Sequence, residues 1–130
     1  MSTRTNLRPQ VVISAGAMAG NLTSVPTILQ SLSMCSYALS WTGTTPVGTV
    51  SVQVSNDFSL NPNGTVNNAG TWNTMTLNYG GMAVTTVPIS GNTGNGFIDI
   101  DQTGAYAIRL IYTAGSGIGS LTATFNGKVS

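Results

Sequence analysis

Hydrophobic and polar residues alternate with a period of two along much of this chain. Cys35, Tyr37, Leu39 and Trp41 stand at odd positions, with Ser36, Ala38 and Ser40 between them. Val50, Val52 and Val54 are separated by Ser51 and Gln53. Tyr106, Ile108, Leu110 and Tyr112 take one side of a third stretch. Leu121, Ala123 and Phe125 take one side of a fourth, with Thr122 and Thr124 facing out. This is the period of a half-buried strand, whose successive side chains point to opposite faces. Shorter strands are expected at Val11-Val12-Ile13, from Pro26 through Ile28 and Leu32, over residues 72–79 through Met75 and Leu77, over residues 84–89 with Pro88 near the end, and over residues 97–101. No helical period is present.

Turn residues separate these stretches. Gly43 and Pro46 mark a turn over residues 42–48, and Ser55-Asn56-Asp57 closes the valine strand. Residues 58–71 read as a long polar loop with Pro62, Gly64 and Gly70; loops of this length are commonly functional or lie on a partner. Gly80-Gly81 is a break, residues 90–96 a Gly/Asn loop, and residues 114–119 a tight glycine turn that would join the last two strands as a hairpin. Roughly eight strands, with a turn signal about every ten residues, fit an all-β fold. The expected architecture is a single antiparallel β-sandwich or jelly roll over residues 11–130, preceded by an extended N-terminal arm over residues 1–10. The chain has 130 residues, enough for one domain with a sizeable core.

Composition narrows the function. Charged residues make up 5% of the chain, against about 25% in an average domain. There is no His and no Glu, and Cys35 is the one cysteine. A metal site of ordinary type, a Ser-His-Asp or Cys-His pair and an internal disulfide are all excluded by inventory. The expectation is no enzyme, no cofactor and no metal. A net charge of +1 is too low to draw a phosphate backbone, so no nucleic acid partner is expected. No run approaches the roughly 20 apolar residues of a membrane helix, so none is expected to bind a membrane. At 41% hydrophobic residues in patterned runs, the chain is not of disordered type. Solubility has to come from neutral hydroxyl and amide groups, and so little charge repulsion favours association. The composition points to a protein of an assembly.

Several residues stand out against this background. Arg4 and Arg8 before Val11-Val12-Ile13, with Ala17-Met18-Ala19 after, imitate a signal peptide. The apolar stretch is short and broken by Ser14 and Gly16, so a retained segment is expected. Arg4, Leu7, Arg8 and Pro9 form the candidate subunit contact: the arm carries little to pack on its own core, its arginines can bind carboxylates or carbonyls elsewhere, and Pro9 stiffens its exit. Asp99-Ile100-Asp101-Gln102-Thr103-Gly104 opens like a calcium loop, but no carboxylate follows at the far end. It reads as a strand end with an Asp-capped turn, where the carboxylates could pair with Arg109 or Lys128 across strands. Of the aromatics Trp41, Trp72, Tyr37, Tyr79, Tyr106 and Tyr112, most occupy inward positions. Trp72, after the long polar loop, is the candidate for an exposed ring that meets a ligand or partner. Arg109 sits opposite the apolar face of its strand, where it reaches solvent or a neighbouring subunit. Asn21-Leu22-Thr23 and Asn63-Gly64-Thr65 match the glycosylation acceptor pattern, as expected by chance in a chain so rich in Asn and Thr.

Two stretches carry a family resemblance. Residues 48–57, Gly-Thr-Val-Ser-Val-Gln-Val-Ser-Asn-Asp, are followed later by Trp72. Residues 104–113, Gly-Ala-Tyr-Ala-Ile-Arg-Leu-Ile-Tyr-Thr, are followed by Gly115-Ser116-Gly117 and a final strand over residues 121–128. Together these resemble small β-sandwich virion proteins of tailed bacteriophages, over about the last 90 residues. The resemblance implies a virion structural protein: a capsid decoration, cement or minor capsid protein, or a tail-associated one. It implies the major capsid protein or other virion proteins as partners, and a homo-oligomer, with a trimer favoured. A Ser-Asn-Asp turn before a Trp is also similar to discoidin-like carbohydrate-binding sandwiches, the alternative reading. Here the gap from Asp57 to Trp72 is longer, and no cystine joins the ends.

Overall fold

The computed structural model describes residues 9–29, 32, 34–101 and 104–128. In chain order its strands are β1 (Gln10–Ala17), β2 (Leu22–Thr23), β3 (Thr27–Ile28), β4 (Met34–Ser55), β5 (Ser59–Leu60) and β6 (Val66–Asn68). There follow β7 (Asn73–Thr74), β8 (Leu77–Tyr79), β9 (Met82–Val84), β10 (Val87–Ser90), β11 (Thr93–Asp101) and β12 (Ala107–Lys128). Among the described residues there is no helix. The all-β reading holds, and every strand pair is antiparallel.

The frame is a pair of 22-residue strands, β4 and β12, matched from Met34↔Lys128 to Ser55↔Ala107. Each serves two half-sheets. In the first, β1 pairs the C-terminal half of β12, and β11 pairs the N-terminal half of β4. In the second, β2 and β3 pair the N-terminal half of β12, while β10 and β7 pair the C-terminal half of β4. The halves close on one hydrophobic cluster. The first contributes Tyr37, Leu39, Trp41, Leu121 and Phe125; the second contributes Val50, Val52, Ile108, Leu110 and Tyr112. Tyr37 and Phe125 meet edge to face, with centroids 5.4 Å apart. The sandwich is therefore made by folding one sheet over itself.

The turns expected over residues 42–48 and 114–119 do not reverse the chain; the two segments pair with each other. Ala114 lies opposite Gly48, Ser116 opposite Val47 and Ile118 opposite Thr44. One extra residue is inserted first on β12 and then on β4, so the register slips and recovers. A bulge of this kind bends a strand and raises its twist, and it is how strands turn the corner of a sandwich. It also switches the parity that faces the core. On β4 the buried positions are odd at Cys35, Tyr37, Leu39 and Trp41, then even at Val50 and Val52. On β12 they are even at Ile108, Leu110 and Tyr112, then odd at Leu121, Ala123 and Phe125.

Close backbone approach explains the glycines at the bend. A Cβ on Gly43 would overlap the backbone of Ile118 and Gly119. One on Gly117 would overlap Thr45 and Pro46, and Gly117 also has φ +79. A connector clamps each side. On the β4 side, Gly43 N–H donates to the Asn92 carbonyl at 2.7 Å, and Thr45 N–H donates to Asn92 Oδ1 at 2.8 Å. On the β12 side, Met18 N–H donates to the Gly119 carbonyl at 2.8 Å, and Ala114 N–H to Asn21 Oδ1 at 2.9 Å.

The strand expected at Val11-Val12-Ile13 is present and longer, and two further expectations change. The segment that imitates a signal peptide is β1 and its exit, with Val12, Ile13 and Met18 in the core. The stretch over residues 72–79 divides into β7, on the main sheet, and β8, which forms a hairpin with β9 around Gly80 and Gly81. The Gly/Asn loop is shorter than expected, because β11 already begins at Thr93.

Candidate functional site

The residues singled out for contact, Trp72 and Arg109, come together beside the end of β4. Ser55, the last residue of β4, sets the geometry. Its hydroxyl donates to Asp57 Oδ1 at 2.7 Å and accepts the N–H of Asp57 and of Phe58. Asp57 Oδ1 also accepts Thr71 N–H at 2.6 Å, which closes the excursion over residues 57–71 at its neck. Phe58 is buried and anchors the start of that excursion. Within it the chain is ordered by its own bonds rather than left as a plain loop. β5 and β6 form a hairpin, and Asn63 Oδ1 accepts both the N–H and the hydroxyl of Thr65.

Trp72 leaves this neck just before β7. Its indole N–H donates to the Ala69 carbonyl at 2.8 Å, and its ring lies 5.6 Å from that of Phe58. β7 pairs β4 with Thr74 opposite Gln53, and Gln53 is opposite Arg109 on β12. That row brings Arg109 under the indole. Its guanidinium carbon is 4.2 Å from the ring centroid, and its Nε donates to Gln53 Oε1 at 2.9 Å. Trp72 is thus half-buried and shared by Arg109 and Phe58, not the open ring expected. Arg109 is held by Gln53 and Trp72 rather than by Asp99, which sits across from Ser36 on the other half-sheet.

Electrostatics follow the same contacts. Thr71 N–H, followed by the Ser55 hydroxyl, holds the Asp57 carboxyl below the ordinary carboxylate range. Partial burial lowers the Arg109 pKa from its ordinary value. Beside this group, an open depression of about 300 Å³ is lined by Val54, Ser55, Asn56, Asp57, Thr71, Asn73 and Ala105. Its one charge is Asp57, whose Oδ1 is already engaged by Ser55 and Thr71. The surface offers hydroxyls, amides and a guanidinium–indole stack, which is the chemistry of a contact surface.

The rest of the aromatic set is dispersed. Tyr37, Trp41 and Tyr112 are in the core, while Tyr79 and Tyr106 are exposed. Tyr106 falls just outside β12, its N–H donating to Asn56 Oδ1 at 2.9 Å. In the sequence Asn56 reads only as a turn residue; the structure shows it joining the end of β4 to the start of β12. The candidate arm contacts Arg4, Leu7 and Arg8 lie outside the described residues. Pro9 is exposed just before β1.

No protein-family model matches the chain, and no curated protein sequence does. Its fold is similar to that of the SPBc2 prophage-derived protein YomS, known from a crystal structure. The TM-score is 0.61 at 6% identity, and the match covers 97% of this chain and 96% of that one. The likeness thus runs over nearly the full length of both chains.

Proposed function

We propose that this chain is a structural protein of a bacteriophage particle, a capsid decoration, cement or minor capsid protein. The observation that carries the reading is the end-to-end fold likeness to a prophage-derived protein, with nearly all of each chain covered. The composition supports it. A neutral Gly/Thr/Asn-rich sandwich without His or Glu is suited to work by surface contact rather than by catalysis. The partners in this reading are the major capsid protein or other virion proteins. With so few charges, the contacts are apolar and hydrogen-bonded, and they respond weakly to salt.

Mass spectrometry of purified virions tests this. The chain is expected in many copies in the particle, and its absence from purified particles sinks the proposal. The same digest on separated heads and tails distinguishes a capsid position from a tail position.

A further inference from the structure

An edge strand with unused backbone groups is a template for another strand unless something blunts it. Most edges of this sheet are blunted. β1 is interrupted by two register shifts, carries Ala15 at φ 47, and has its Val12 carbonyl engaged by Val25 N–H. β10 is four residues long and contains Pro88. β2, β3 and β7 are two residues each. β11 has none of these features. It runs nine residues, stays in unbroken register with β4 from Thr93↔Thr42 to Asp101↔Met34, and contains no Pro, Lys or Arg.

The phase of its bonding is fixed at one end. Gly43 N–H donates to the Asn92 carbonyl. Antiparallel pairs alternate between bonded and non-bonded, so the even-numbered residues of β11 exchange bonds with β4. The N–H and C=O of Thr93, Asn95 and Phe97 therefore point to the open edge. Among the described residues nothing bonds to them. The side chains of the same residues lie on the outer face, and Phe97 is 58% exposed.

We propose that β11 docks a second copy of this chain, edge to edge and antiparallel, across a two-fold axis at Asn95. The segment is self-complementary. With the axis there, Thr93 lies opposite the second copy's Phe97, and Asn95 opposite its own equivalent. Each of the three residues then exchanges both of its bonds, as an isologous contact requires. The Phe97 ring of each copy packs over Thr93 and Thr42 of the other, short side chains that leave it room. The nearest charge, Asp99, falls outside the paired segment, so no like charges face each other. This contact is two-fold, unlike the trimer implied by the family resemblance, and it does not depend on the phage reading.

Sedimentation across a concentration series, with hydrogen exchange on the same samples, tests the proposal. Asn95→Pro removes only an outward-pointing N–H, so the β4–β11 ladder keeps its bonds. Phe97→Lys places a charge against the second copy while leaving the backbone alone. The full chain is expected to dimerise. Exchange at Thr93, Asn95 and Phe97 should slow as concentration rises. Each variant should weaken the dimer at least tenfold, with unchanged far-ultraviolet dichroism and unchanged melting in dilute solution. If Asn95→Pro fails to fold, Phe97→Lys and the exchange data decide. A chain that stays monomeric while those amides exchange fast at every concentration overturns the proposal. So does a dimer or trimer that Phe97→Lys leaves intact.

Discussion

The guanidinium of Arg109 lies 4.2 Å from the centre of the Trp72 indole, and Gln53 holds its Nε from the neighbouring strand. The two residues are far apart in the chain, Arg109 on β12 and Trp72 in the connection just before β7. The row Arg109, Gln53 and Thr74 across β12, β4 and β7 makes them neighbours. The stack fastens the polar excursion over residues 57–71 to the outer face of the sheet.

Removing the cation should expose the ring. Arg109→Ala is expected to shift Trp72 emission to the red and to lower stability by about 0.5–1 kcal/mol, the usual worth of an exposed cation–π contact. Trp41, in the core, supplies a constant background. Arg109→Lys keeps a cation but not the Nε bond to Gln53, so it should fall between the native chain and Arg109→Ala. Unchanged emission in Arg109→Ala would show that the stack is not kept in solution.

Asp57 makes an acid-sensitive latch. Its folded pKa is depressed by Thr71 N–H and then by the Ser55 hydroxyl. Its contribution is therefore present above the ordinary carboxylate value of about 4 and is lost as pH falls through the lower folded value. Thermal melts should drop below about pH 4 in the native chain. Asp57→Ala should show a lower plateau at neutral pH and a flatter acid limb. Parallel acid limbs would argue against the latch.

The bend should be intolerant of a single methyl. Gly117→Ala meets both a positive φ and the Thr45–Pro46 backbone, and is expected to destabilise by roughly 2–4 kcal/mol. Gly43→Ala meets backbone crowding alone and should cost somewhat less. Gly20→Ala, with nothing near its Cβ, is the control and should stay within about 0.5 kcal/mol. Chemical denaturation of the three variants checks the order.

Cys35 should behave as a packed apolar side chain. Burial first, and Asp99 second, raise its pKa to about 11. An acid whose folded pKa is raised contributes stability below its unfolded value near 8.5, and loses it as pH climbs toward the folded value. Iodoacetamide at pH 8 should leave the native chain unmodified and alkylate it in denaturant. Melting temperature should fall between about pH 9 and 11. Cys35→Ala should remove part of that fall, with buried Tyr37, also raised by burial, supplying some of the remainder.

Periodicity revealed the core, because burial and alternation are one signal. Cys35 to Trp41, Val50 and Val52, Ile108 to Tyr112 and Leu121 to Phe125 all face inward as their spacing indicated. The connections are ambiguous in the sequence, because glycine and proline mark a bulge and a turn alike. Gly43, Pro46, Gly115 and Gly117 suit a chain reversal as well as a corner. The discriminating signal was present: the change of inward parity between Trp41 and Val50, and again between Tyr112 and Leu121, calls for an inserted residue within a continuing strand. β11 reads short in the sequence for a similar reason, since Asn95-Gly96 is also good turn chemistry. The Arg109–Trp72 stack was not legible at all. Trp72 and Arg109 each read as contact residues in the sequence, but nothing local says that β7 lies beside Gln53.

The matching of β4 to β12 along their full length has a consequence for synthesis on the ribosome. Everything that β4 needs on one side is encoded after residue 106, and β1 waits for partners between Ser120 and Phe125. Until β12 emerges from the exit tunnel, neither half-sheet has its centre. Such non-local pairing must close long loops before it is rewarded, which slows folding. The nascent chain can therefore pair β4 with β10 and β11 early, but it leaves the other side of β4 and the whole of β1 without partners until residues 107–128 are outside the ribosome.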